Sequence, residues 1–87
     1  MKVKNRYQIT NKLDSYIVRE TGRRMAESGE RVTKGKIMEE IAIHSGVGLE
    51  SIKLINRNVS QPSLVVALRM ADYFDTRVEN IFDVLED

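Results

Sequence analysis

The sequence has no cysteine and no tryptophan, one proline (Pro62) and one histidine (His44). Without thiols there is neither a disulfide framework nor a thiolate zinc site. With one His and no Cys, Ser-His and Cys-His nucleophilic arrangements have little to build on. No run of about 18 apolar residues is present, so no membrane span is expected. The first ten residues, MKVKNRYQIT, are basic but lack the apolar core of a secretion signal. These absences lead to the expectation of a soluble cytoplasmic protein. At 87 residues the chain is long enough for one small domain with short connections.

Charge is plentiful and unevenly placed. The formal net charge is only +1, but ten of the fourteen Lys and Arg residues lie at or before Lys36, against four of the thirteen acids. Such polarity points to a polyanion or an acidic partner at the N-terminal half. Arg23, Arg24, Arg31, Lys34 and Lys36 form the densest basic cluster. Paired carboxylates occur, as at Glu39-Glu40 and at Asp83, Glu86 and Asp87, but none has a His or Lys beside it in a plausible cleft, and they read as solvated faces or helix-dipole partners. Gly46-Val47-Gly48 lacks the Lys-Ser/Thr pair of a phosphate loop. No cofactor or metal is expected, and the chain reads as a binding protein, not an enzyme.

Apolar spacing predicts five helices. Residues 1–11, with Val3, Tyr7 and Ile9, suit a flexible arm or a short strand, and we read them as a basic arm. Helix 1 is expected to start near Thr10 or Asn11, with Asp14 in its first turn, and to stop at Ser28-Gly29. Leu13, Tyr16, Ile17, Thr21, the Arg24 stem and Met25 follow its 3.6-residue period. Helix 2 should run from about Lys34 to His44, capped by Thr33. Gly46 can adopt the left-handed conformation that ends it sharply. Helix 3 should follow from Gly48 or Leu49 to Asn56, with Val47, Ile52 and Ile55 pointing inward. The opposite face then carries Leu49, Glu50, Ser51, Lys53 and Leu54. Pro62-Ser63 opens helix 4, whose apolar positions are Leu64, Val65, Ala67, Leu68, Ala71 and Phe74. A short helix 5 is expected from Val78 to about Val84. Two short helices joined by a glycine-bearing turn, over about residues 34–56, form a helix-turn-helix. The expected architecture is therefore an all-α five-helix bundle over residues 12–87, with a central helix-turn-helix and a basic arm over residues 1–11.

The segment EEIAIHSGVGLESIKLINRNVSQPSLVVALRMADYFDTRVENIFDV, Glu39 to Val84, resembles the lambda-repressor-like, or Xre-type, helix-turn-helix family. Glu39-Glu40-Ile41-Ala42 is similar to the family's helix 2 and Ser45-Gly46-Val47 to its turn. Ile52 and Ile55 match the buried positions of its recognition helix, Gln61-Pro62-Ser63-Leu64 its fourth helix start, and Val78-Glu79-Asn80-Ile81-Phe82 its fifth helix. The resemblance implies a sequence-specific regulator of transcription, a repressor of the kind phages and mobile elements use, binding duplex DNA as a homodimer. In that mode helix 3 enters the major groove. Leu49, Glu50, Ser51, Lys53 and Leu54 would then face bases. Lys34, Lys36, Met38, Gly48, Arg57, Asn58 and Ser60 would lie along the backbone, and Lys2, Lys4 and Arg6 of the arm would add backbone or minor-groove contacts. Met38 stands where the family often has a phosphate-binding Gln, and methionine offers no donor. Leu49, Glu50 and Leu54 replace the polar readers common at these positions. Glu accepts from cytosine N4 and Leu packs on a thymine methyl, so base reading remains open. The same surface suits a protein partner, which makes an antirepressor, a co-regulator or an antitoxin the alternative.

Overall fold

Cap chemistry sets four of the ten helix boundaries in the computed structural model, which describes residues 7–86. The arm cations Lys2, Lys4 and Arg6 lie outside the described residues. Five helices, α1 (Leu13–Ser28), α2 (Lys34–Ser45), α3 (Leu49–Asn56), α4 (Leu64–Tyr73) and α5 (Val78–Ile81), are framed by two strands, β1 (Tyr7–Asn11) and β2 (Phe82–Glu86). The Thr33 hydroxyl accepts from the Lys36 N–H, and the Ser63 hydroxyl from the Val66 N–H, so both helices start at a satisfied cap. Gly29 (φ 73°) ends α1 and Gly46 (φ 76°) ends α2, both in the left-handed region. At Gly46 the N–H groups of Gly46 and Val47 return to the carbonyls of Ile43 and Ala42, the double closure of a Schellman turn.

The protein is mostly helical but not all-α. β1 and β2 pair antiparallel, with Ile9 opposite Val84 and Asn11 opposite Phe82. The sequence expectation carried helix 5 on to about Val84, but α5 is a single turn and Phe82 is already extended (φ −114°, ψ 141°). Phe82 and Val84 flank Asp83 with the alternation of a strand, and pairing with β1 satisfies backbone groups that helix continuation would otherwise satisfy. The presumed arm is likewise a strand from Tyr7 onward. Its inner end is anchored: Phe82 is buried, and Ile9 packs against the core. Asn11 then joins three elements. Its Oδ1 accepts from the Leu13 N–H (3.0 Å) at the start of α1, and its Nδ2 donates to the Ile55 carbonyl (2.8 Å) in α3.

Leu13, Ile17, Ile37, Ile41, Ile52, Met70 and Ile81 are fully buried, one or two from each helix. Along α1 the expected stripe holds at Leu13, Ile17 and Thr21, but Met25 lies exposed near the helix end. On α4 the buried positions are Ala67, Met70 and Ala71, while Leu64, Val65 and Leu68 are exposed (71%, 56% and 50%). A ten-residue helix in so small a fold has one inward face, and these three lie off it. None of the described helices is long and apolar enough to cross a membrane.

A polar knot ties α1, α2 and α4 together beside this core. The Arg24 guanidinium donates to both carboxylate oxygens of Glu40 (2.5 and 3.1 Å) and to Glu20 (2.7 Å). The Tyr73 hydroxyl donates to Glu40 Oε1 at 2.7 Å. Arg24 foremost, with help from Tyr73, holds the Glu40 carboxyl below the usual carboxylate range. Burial, together with the adjacent Glu40, pushes the Tyr73 phenol up.

Candidate nucleic-acid interface

The Gly46 turn sets α3 directly after α2, and the buried Ile52 and Ile55 key it to the core. Val47 is half-buried and packs on the same core. Of the five residues expected on the outward face, Glu50 and Ser51 are exposed, and Leu49, Lys53 and Leu54 are half-buried. The face therefore presents a hydroxyl, a carboxylate, one ammonium and parts of two leucines. Lys53 Nζ lies 3.6 Å from Glu50 Oε2, a loose pair on the exposed side of the helix. Gly48 precedes the first turn of α3 in an extended conformation and provides no side-chain cap.

The loop after α3 carries Arg57, Asn58 and Ser60, all exposed. The N–H groups of Val59 and Ser60 both donate to the Leu54 carbonyl and close the helix C-terminus. This closure needs a positive φ at Asn58 (61°), a conformation that asparagine tolerates better than most side chains. Lys36 is exposed in the first turn of α2. Among the described residues, Lys36 and Arg57 have no ion-pair partner.

Two expected backbone contacts stand differently. Met38 is half-buried and packs against the core, as its apolar thioether favours. Lys34 donates to Asp14 Oδ1 at 2.8 Å, and the same oxygen accepts from Asn56 Nδ2 at 3.3 Å. Lys34 first, then Asn56, holds the Asp14 carboxyl below its ordinary value. The basic cluster as a whole is partly spent inside the fold. Arg23 pairs with Glu20 and Glu27, and Arg24 with Glu20 and Glu40. The spacing Glu20-Arg24 signals its pair in the sequence. Nothing local signals Glu40-Arg24, Asp14-Lys34 or the Asn11 junction, each of which joins different elements. His44, in the last turn of α2, pairs with Asp72 of α4 at 2.9 Å and lies edgewise against Tyr73.

Comparison of the chain with protein-family models, with curated proteins and with solved structures found no match.

Proposed function

We propose that the protein is a small sequence-specific DNA-binding regulator of transcription, a repressor acting as a homodimer, and a binding module without enzymatic activity. The observation that carries this reading is the α2–Gly46–α3 unit, with α3 held by Ile52 and Ile55 while Glu50 and Ser51 remain exposed. A helix held so presents its N-terminal side chains to a major groove. Lys36, in the first turn of α2, and Arg57, directly after α3, supply phosphate contacts, and the cations Lys2, Lys4 and Arg6 of the sequence add to the attraction. Base reading falls to Glu50, Ser51 and Lys53, with Leu49 and Leu54 packing on thymine methyls.

A second reading is favoured by one feature. Much of the basic cluster is neutralised within the fold, and α3 offers Leu49 and Leu54 beside Glu50. That composition suits a protein partner, as in an antirepressor, a co-regulator or an antitoxin.

Binding to labelled duplexes from the region upstream of its own gene, with random DNA as competitor, separates the two. Tight, competitor-resistant binding that weakens steeply with salt supports the regulator. No specific binding at low salt moves the weight to the protein partner. In that case the double variant Leu49→Ala with Leu54→Ala should abolish the protein complex.

A further inference from the structure

Asp14 sits where three elements meet at the edge of the candidate interface. It belongs to the first turn of α1, Lys34 opens α2 and Asn56 closes α3. One carboxylate oxygen receives both the Lys34 ammonium (2.8 Å) and the Asn56 amide (3.3 Å). An ammonium and an amide N–H converging on one anionic oxygen reproduce the contacts a DNA phosphate would receive. Both ends of the ion pair are about half exposed, at 53% for Asp14 and 48% for Lys34, so a phosphate from solvent can reach the Lys34 ammonium. Arg57 follows Asn56 directly and is exposed. Asp14 thus occupies a place beside cations that a polyanion would otherwise contact.

We propose that Asp14 is a built-in phosphate mimic. It holds Lys34 and the Asn56 amide away from the DNA backbone and so lowers non-sequence-specific affinity. Discrimination then depends on the contacts of α3, because fewer generic phosphate contacts contribute to every site. This inference rests on the DNA-binding reading and names a residue that sets its specificity. It explains why a lysine at the interface edge is matched by a carboxylate twenty residues away in the chain. Because an ion pair this exposed contributes little to stability, removing its charge should leave the fold intact.

The test is the salt dependence of binding to a labelled random-sequence duplex between about 50 and about 200 mM salt, the range over which phosphate contacts are most visible. Asp14→Asn keeps the shape and removes the charge. It should free one cation for phosphate and steepen the log-log salt slope by about 0.9. With binding at about 1 M salt unchanged, that slope tightens binding at about 0.1 M by about eightfold. Asp14→Glu, which retains the charge, should behave as wild type. Lys34→Ala alone should change the slope by much less than one unit. In the Asp14→Asn background it should return the slope to the wild-type value. Thermal unfolding monitored by circular dichroism confirms that each variant is folded. If wild type binds duplex DNA and Asp14→Asn leaves slope and affinity unchanged, the mimic is refuted while the DNA-binding reading stands. A full-unit loss of slope from Lys34→Ala in wild type refutes it equally. If neither wild type nor Asp14→Asn binds any duplex at the lowest salt, the DNA-binding reading and this inference fall together.

Discussion

Replacing Glu40 by Gln removes one charge from the knot that joins α1, α2 and α4, and nearly preserves its shape. In the wild type the carboxylate receives a two-pronged bond from Arg24 and a third from the Tyr73 hydroxyl. The side chains of Arg24 and Glu40 are 31% and 27% exposed. The pair therefore lies between a fully solvated ion pair, at about 0.2–1 kcal/mol, and a buried one, whose rupture costs about 3–5 kcal/mol. Solvent screening places the loss toward the lower end, at about 1–2 kcal/mol. For a domain of this size that corresponds to a fall in Tm of about 4–16 °C at neutral pH. The pH dependence has a definite sign. The folded carboxyl titrates below its ordinary value of 4.5, so its contribution is complete above that pH. It is lost as pH falls through the folded value, and the gap between wild type and Glu40→Gln should close there. Thermal melts followed by circular dichroism at neutral pH and near pH 3 measure both effects. A variant melting within about 2 °C of wild type at neutral pH, or a gap that widens on acidification, would refute the reasoning.

Gly46→Ala should destabilise by about 1–2 kcal/mol through its left-handed backbone, and denaturant unfolding measures this. The added Cβ would lie 3.1 Å from an Arg69 guanidinium nitrogen, a flexible neighbour that can move aside. Met70→Ala empties a fully buried position and should cost about 2–5 kcal/mol in the same assay. Leu64→Gln, six residues earlier on the same helix but 71% exposed, should stay within about 0.5 kcal/mol of wild type. Thr33→Ala and Ser63→Ala each remove a side-chain cap and should each cost about 1 kcal/mol, with the double variant near the sum.

Local chemistry made the middle of the chain legible. Thr33, Gly46, Pro62 and Ser63 act on their immediate neighbours, and α2, α3 and α4 begin and end within a residue or two of where these residues point. The two ends were harder because their structure comes from pairing. Val78, Ile81, Phe82 and Leu85 carry a helical period, yet Phe82–Glu86 is drawn into a ribbon by Tyr7–Asn11 from the other end of the chain. A short apolar run fits either period, and only the distant partner decides between them. On α4 the apolar pattern covered more of the surface than one packed face can bury. It therefore marked Leu64, Val65 and Leu68 along with Ala67 and Ala71, and left out Met70. At the candidate site the exposure of Glu50 and Ser51 follows from helical spacing, whereas Leu49, Lys53 and Leu54 are half-buried. The neutralisation of Lys34 and Arg24 does not follow from spacing, because Asp14 and Glu40 reach them from other elements.

The central claim is that the outward face of α3 meets DNA. Amide chemical shifts, recorded by NMR while a duplex from the gene's upstream region is added, test it most directly. The shifts should concentrate at Leu49, Glu50, Ser51, Lys53 and Leu54, with Lys36, Arg57, Asn58 and Ser60 around them. Shifts confined to the exposed face of α4 at Leu64, Val65 and Leu68, or no shifts at all at low salt, would contradict it.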